Sequence, residues 1–157
     1  MGLIDRVKNI LITPKTEWPA ITGETSSTGD LFGGWVAPRA GLSALAGCIG
    51  SSLVGTSIPF VGTFRVPIIA GIGAAVLHFV FAMLGVFILS LIINALAPSF
   101  GGEKNQAQAL KVAVYSYTPA WIAGVLHILP VFGVSMLIVL ISLYGLFLLY
   151  LGLPPLM

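Results

Sequence analysis

The stretch Pro67–Ala97, PIIAGIGAAVLHFVFAMLGVFILSLIINALA, decides the class of fold. It contains no Asp, Glu, Lys or Arg over about 31 residues, whereas about 20 apolar residues are enough to cross the hydrocarbon core of a bilayer. As one helix at about 1.5 Å per residue it would be about 46 Å long, against a core of about 30 Å. We therefore expect a transmembrane helix that protrudes, bends near Gly71, Gly73 or Gly85, or frays at one end.

The composition of the whole chain indicates the same class. Hydrophobic residues make up 57% of the 157 residues and charged residues 8%, whereas a typical soluble domain carries about 25% charged residues. The net charge of +2 comes without a basic cluster, so nucleic acid is not an expected partner. The single cysteine, Cys48, excludes an intramolecular disulfide and a cysteine-based metal cluster. We predict an all-α, polytopic transmembrane helical bundle without a cofactor.

An amphipathic arm is predicted to precede this bundle. Residues 1–12 place apolar side chains at the i, i+3, i+4, i+7 spacing of a helix, with polar residues on the other face. We expect this helix to lie at the membrane interface, with a partner-binding arm as the alternative, and its apolar face to be buried by the membrane surface or by the protein's own spans. Trp18 is predicted to anchor the arm at the level of the lipid headgroups.

A linker is predicted to join the arm to the first span. Residues 22–34 are rich in Gly, Ser and Thr, which is typical of a flexible joint. The carboxylates of this region, at Glu17, Glu24 and Asp30, are predicted to lie on a solvated surface. The chain is thus divided into an interfacial arm and linker, residues 1–34, and a transmembrane bundle, residues 35–157.

Four spans are predicted, at about residues 36–58, 67–97, 109–129 and 132–151. In the first span small residues recur every four positions, at Ser43, Gly47, Ser51 and Gly55. Small residues at this spacing let helix backbones approach closely in lipid, so we expect this span to be the packed centre of the bundle.

Polar residues within the spans are the candidates for function. Arg39 is predicted to mark the membrane interface, or alternatively to pair with a carboxylate of the arm. A candidate ligand or proton site is formed by His78, Asn94, Tyr117 and Trp121, although a histidine in a span can also simply hydrogen-bond a neighbouring helix. Pro119 is expected to kink the third span and to open a groove beside the tyrosines.

The distribution of Lys and Arg predicts the orientation in the membrane. With four spans, one side receives six of the seven basic residues and the other side receives only Arg65. Because basic residues favour the cytoplasmic side, we predict a cytoplasmic N-terminus.

Three segments resemble the bacterial branch of the Yip family of Ypt/Rab-interacting membrane proteins: RVKNILITPKTEWPAI, KVAVYSYTPAWIAGVLHILP and LYGLFLLYLGLPPLM. The resemblance covers nearly the whole chain in order. It implies a bundle that normally has five spans and a cytoplasmic N-terminus in the bacterial inner membrane, so that a fifth span would be missing from this chain. GTPase binding, an association of the eukaryotic members, is not extended to this chain.

No nucleotide-binding, hydrolase or metalloprotease motif is present, so an enzyme is not expected. The main hypothesis is a non-enzymatic scaffold, adaptor or accessory subunit of a membrane complex, in contact with membrane lipids and with a membrane-protein partner or a second copy. The alternative is a lipid- or small-solute-handling protein for transport or binding.

Overall fold

A computed structural model describes residues 2–58, 60–129 and 131–157, and most of these residues are helical. The N-terminal arm consists of two short helices, α1 (Leu3–Ile12) and α2 (Pro14–Thr22). Pro14 suits the first turn of α2 because its missing N–H is not needed there. The arm lies against the other helices and buries six residues that are distributed over both of its helices: Arg6, Ile10, Pro14, Glu17, Trp18 and Ile21.

The predicted flexible joint is helical in its second half. Ser27 Oγ accepts a hydrogen bond from the Asp30 N–H, and the Asp30 carboxylate accepts one from the Ser27 N–H at 3.1 Å. This reciprocal capping box starts a continuous helical segment. It comprises α3 (Thr28–Asp30), a π-helical stretch (Leu31–Val36), α4 (Ala37–Ile49) and a second π-helical stretch (Gly50–Val54).

A small β-hairpin follows and corrects the all-α prediction. Gly55 ends the helical segment with a positive φ of 88°, a conformation that glycine adopts without strain. Strand β1 (Thr56–Ile58) then pairs antiparallel with β2 (Gly62–Phe64). The last residues of the first predicted span, 36–58, therefore fall in the hairpin, and the helical segment that contains most of this span begins earlier, at Thr28.

The long apolar stretch forms α5 (Ile68–Leu96), followed by a 3-10 turn at Ala97–Phe100. The expected irregularity lies at this C-terminal end, and the α-helix is not broken at its glycines. The last helix is α8 (Phe132–Leu156), which carries two prolines in its final turn.

The third predicted span is divided into α6 (Gln106–Ser116), α7 (Thr118–Gly124) and a 3-10 turn at Val125–Ile128. The break falls just before Pro119, whose ring cannot continue a preceding helix. Gly145 of α8 lies against this break, since a Cβ at Gly145 would be 2.6 Å from the Ser116 carbonyl oxygen.

Helix α6 is the packed centre of the described chain. Every residue from Ala109 to Ser116 is buried. The first predicted span was expected to hold this position. Its helix α4 does pack against α5, α7 and the turn at Val125–Ile128, but it leaves Leu42 and Leu45 exposed on one face. Helix α4 therefore exposes apolar side chains on one face and packs against other helices on the other.

The helical segments run back and forth between two ends of the molecule. At one end the Glu103 N–H donates to the Met157 carbonyl at 2.8 Å, beside the arm. At the other end Ser57 of the hairpin forms a β-bridge with Val131, and Gly50 lies directly against the His127 carbonyl.

In the described part of the chain, two helices are long and apolar enough to cross a membrane, Ile68–Phe100 and Gly133–Leu156. Only 17% of the most apolar window of each is buried within the protein. Helices that expose so much apolar surface require an apolar environment. They coincide with the second and fourth predicted spans, while the full count of four spans stays a prediction.

Candidate functional site

A buried cluster of charged residues joins the arm to the helical bundle. Arg6 of α1 is only 7% exposed, its Nε lies 3.1 Å from Glu17 Oε1, and its Nη2 contacts Glu24. Asn9 adds a hydrogen bond from Nδ2 to Glu17 Oε2 at 3.2 Å. The solvated surface predicted for Glu17 is therefore wrong, because this carboxylate is buried and paired.

Lys111 of α6 also belongs to this cluster. Its ammonium donates to the Ile21 carbonyl at 3.1 Å and also to the Glu24 carbonyl. Gln108 donates from Nε2 to the Thr22 carbonyl at 3.2 Å. The Ile21 carbonyl also accepts a hydrogen bond from the Glu24 N–H at 3.2 Å. The side chains of α6 therefore add donors at the C-terminal end of α2, where a cation is favourable.

Helix α8 also contacts the arm. The Tyr144 hydroxyl donates to the Leu11 carbonyl at 3.0 Å, which satisfies the end of α1. Trp18 lies so close to Gly152 that a Cβ at Gly152 would be 2.8 Å from the indole ring. The glycine therefore makes room for the tryptophan.

Trp18 is 1% exposed, which corrects its predicted role as a headgroup anchor. Its ring packs edge-on against Tyr115, with the ring centroids 6.3 Å apart. Trp18 was predicted to lie at the level of the lipid headgroups, whereas in the structure α6 and α8 bury it.

Arg39 is also buried, at 9% exposure, and is not placed at an exposed interface. Its guanidinium stacks on the Trp35 ring at 3.6 Å, and Nη1 donates to the Trp35 carbonyl at 2.7 Å. A predicted pairing with a carboxylate of the arm is not among the ion pairs of the described residues. The cation is instead held by an aromatic face and a backbone carbonyl.

The charged groups of this cluster balance one another among the described residues. Its buried cations are Arg6 and Lys111, and its carboxylates are Glu17, which is buried, and Glu24, which is half-buried. A buried charge is costly unless it is paired or hydrogen-bonded, and both cations have ion-pair or hydrogen-bond partners here.

The predicted small-residue row and His78 line a second site, a groove of about 250 Å³ between α4 and α5. Ser43, Gly47 and Ser51 line it together with His78 and His127. The His127 Nδ1 lies 3.0 Å from the Gly124 carbonyl. In the described part of the chain, no group of three or more His, Cys, Asp or Glu residues is arranged to hold a metal ion.

Close helix contacts occur along the helical segment of residues 28–54, and one of them involves the predicted row. Ser43 Oγ would lie 2.0 Å from a Cβ at Gly124, so these backbones approach closely. A second contact joins Ser52 to Gly71 of α5. Gly47 has no neighbour near its Cβ position, and Gly55 lies at the start of the hairpin.

The four residues of the predicted ligand site are not brought into one described cavity. His78 lines the groove beside α4, and Asn94 lies 16 positions further along the same helix, about 24 Å at 1.5 Å per residue. Tyr117 and Trp121 stack on each other at 5.8 Å across the break between α6 and α7.

The charged cluster was not predicted as a site from the sequence. Its members are far apart in the chain, and residue type alone does not tell which charges are buried. The only sequence signal was the appearance of Arg, Lys and Glu in a chain with so few charges.

The fold and the exposed apolar helices define a helical membrane protein. The family model of the Yip1 domain matches residues 8–157, and the chain therefore belongs to the Yip1 domain family. No curated protein and no solved structure matches the chain.

Proposed function

We propose that this chain is a non-enzymatic scaffold, adaptor or accessory subunit in the bacterial inner membrane. The observation that carries the proposal is the way in which the arm is fixed. Lys111 and Tyr144 fix the two arm helices on the bundle, and the buried pair of Arg6 with Glu17 joins α1 to α2. A surface that is already ordered loses less conformational entropy when it binds a partner.

The fixed arm presents a mixed face to its surroundings. Ile4 and Ile12 are 80% and 68% exposed, and Lys8 lies exposed between them. The spacing of four residues places all three on one side of α1. Exposed apolar groups beside a cation are the kind of surface that a membrane-protein partner with an apolar and acidic patch would cover.

Four spans and a cytoplasmic N-terminus belong to this proposal. The arm, the residues around Glu103 and the end of α8 share one end of the molecule, as an alternating path through four helical segments requires. The same path places most of the basic residues on one side, which favours the cytoplasm. An interfacial position for α1 is compatible with its exposed isoleucines.

The test is a mild extraction of the full chain from its own host, followed by identification of co-purifying proteins. Wild type is expected to bring a stoichiometric membrane-protein partner, and the double variant Ile4→Glu/Ile12→Glu is expected to lose it. Ala20→Glu, which is exposed on α2, is the matched control and should keep the partner. Recovery of wild type only as a lone monomer would contradict the proposal.

A second candidate function is the handling of a lipid or small apolar solute. It is favoured by an apolar groove of about 640 Å³ between the C-terminal halves of α5 and α8, lined by residues that include Leu89, Ile93, Leu149 and Leu153. A bound lipid at this groove in wild type, lost in Ile93→Trp, would favour this function over the scaffold.

A further inference from the structure

The β-hairpin ends in large apolar side chains that touch little of the protein. Phe60 is fully exposed, Val61 is 79% exposed and Phe64 is 65% exposed. Phe60 also has a positive φ of 67°, a conformation that bulky residues rarely adopt. Glycine or asparagine would accept this conformation at lower cost, so the hairpin presents an aromatic ring at its tip against the local backbone preference. An exposed apolar patch of this kind marks an interaction surface.

The hairpin adjoins the N-terminal ends of both long apolar helices. Strand β2 is followed directly by α5, which begins at Ile68. Ser57 of β1 forms its β-bridge with Val131, just before α8. Val131 and Leu129 are exposed as well. The apolar tip is therefore close to the exposed faces of the two helices that are long and apolar enough to cross a membrane.

The charged arm lies only a short distance from the hairpin along α8. The end of α1 is at the level of Tyr144, whose hydroxyl donates to the Leu11 carbonyl, and the exposed Lys15 lines the same cleft as Tyr144. From Tyr144 back to Val131 the helix advances about 20 Å at about 1.5 Å per residue. The hydrocarbon core of a bilayer is about 30 Å thick, and any tilt of α8 shortens the 20 Å further.

The hairpin and this end of the arm therefore cannot both lie outside the hydrocarbon core. With the hairpin in water, Lys15 would lie about 10 Å within the core, where a charged group is costly. The hairpin, residues 55–66, carries one charge, Arg65, and the long side chain of an arginine can extend to the lipid phosphates. The difference in charge thus favours drawing the hairpin, rather than Lys15, into the bilayer.

The backbone of the hairpin limits how deep it can lie. Strand β2 pairs with β1 on one side, and no other strand of the described chain pairs with its second edge. An open strand edge is not stable in hydrocarbon, because its N–H and C=O groups would lack partners. The backbone therefore stays among water and headgroups while the apolar side chains reach inward, as aromatic residues do at membrane interfaces.

We propose that the hairpin tip is a membrane-inserting surface. Phe60, Val61 and Phe64 enter the outer part of the acyl chains in the leaflet opposite the arm, and Arg65 contacts the phosphates of the same leaflet. The partner of this surface is thus the lipid bilayer rather than a protein or a soluble ligand. The tip holds the N-terminal ends of α5 and α8 at a fixed depth, a role that goes beyond the proposed scaffold and does not depend on it.

The test measures the depth of the tip in the full chain, reconstituted in vesicles of phosphatidylcholine and phosphatidylglycerol. Cys48, the single cysteine, is replaced by alanine, and a fluorophore is attached at Val61→Cys or at Lys104→Cys, which is exposed after α5. Lipids brominated near the carbonyl end of their acyl chains should quench the label at position 61 at least about fivefold more than the label at position 104. Iodide, present on both sides of the bilayer, should show the opposite preference.

Equally strong quenching of both labels by iodide would overturn the proposal and place the tip in water. Quenching of the label at position 61 by neither reagent would overturn it in favour of a contact with a second copy of the chain.

A second pair of variants tests whether the apolar side chain holds the tip in the bilayer. In the chain labelled at position 61, Phe60→Asp should reduce quenching by the brominated lipids at least about threefold, because a carboxylate is costly among acyl chains. Phe60→Leu, the matched control, keeps an apolar side chain and should leave the quenching unchanged. Equal quenching in the aspartate and leucine variants would overturn the proposal.

Discussion

Replacing Trp18 by alanine tests whether the arm belongs to the core. A buried tryptophan removes about 200 Å² from water, which is worth about 5 kcal/mol at about 25 cal/mol per Å². Trp18 is 1% exposed, but its Nε1 is buried without a hydrogen-bond partner among the described residues, which offsets about 1 kcal/mol. We expect Trp18→Ala to lower the free energy of unfolding by about 3–5 kcal/mol.

The assay is equilibrium unfolding of the full chain in mixed micelles, with far-ultraviolet circular dichroism as the signal. Fluorescence is less suitable, because it would combine the signals of the three tryptophans of the chain. Trp18→Phe keeps most of the apolar contact and removes the unpaired N–H, so its loss should be clearly smaller than that of the alanine variant. Lys15→Ala, exposed on the same helix, is the control and should change stability by less than about 0.5 kcal/mol. A loss below about 1 kcal/mol for Trp18→Ala would refute burial and favour a headgroup anchor.

Three further predictions concern the same junction and its neighbours. Arg6→Met leaves the carboxylate of Glu17 buried and unpaired, so it should destabilise the protein by about 3–5 kcal/mol, and adding Glu17→Gln should recover part of this loss in a double-mutant cycle. Gly145→Ala places a methyl group 2.6 Å from a carbonyl oxygen of α6 and should lower the midpoint of thermal unfolding, with a cost of about 1–3 kcal/mol. The hydrogen bonds from Ser27 hold the pKa of Asp30 below its ordinary value of 3.8. The cap therefore stabilises the fold above that pH, and this stabilisation is lost as the pH falls through the lower folded pKa. Asp30→Asn should flatten the acid side of a curve of stability against pH.

The long apolar helices are the part of the fold that could be predicted from the sequence. Composition and length alone identify a membrane helix, since about 20 apolar residues have few other stable environments. The stretch beginning at Ile68 and the stretch ending at Leu156 both became such helices. Pro119 likewise gave the break between α6 and α7, because its effect on a helix is local.

The junction of the arm could not be predicted in the same way. The pairing of Arg6 with Glu17 depends on how α1 folds back on α2, and the capping of Ile21 by Lys111 joins residues 90 positions apart. A pattern read along the chain shows that α1 is amphipathic but does not show what it packs against. The prediction therefore left open whether the membrane surface or the protein's own spans bury the arm, and the structure uses α6 and α8.

The candidate site differs from the predicted one for a related reason. His78 and Trp121 were selected because polar and aromatic groups in spans often have a function. Residue type does not show which residues of different helices lie close together. Among the small residues of the predicted row, Ser43 meets Gly124, whereas Gly47 faces open space, because spacing along one helix does not show which neighbour each residue meets.

Hydrogen–deuterium exchange of the full chain in lipid nanodiscs would show whether the N-terminal arm is a fixed part of the folded core. We expect the amides of α2 to be protected to the same degree as those of α6, because Lys111, Gln108 and Tyr144 fix the arm on the bundle. Exchange in α2 as fast as in the exposed strand Gly62–Phe64 would mean that the arm is not part of the core.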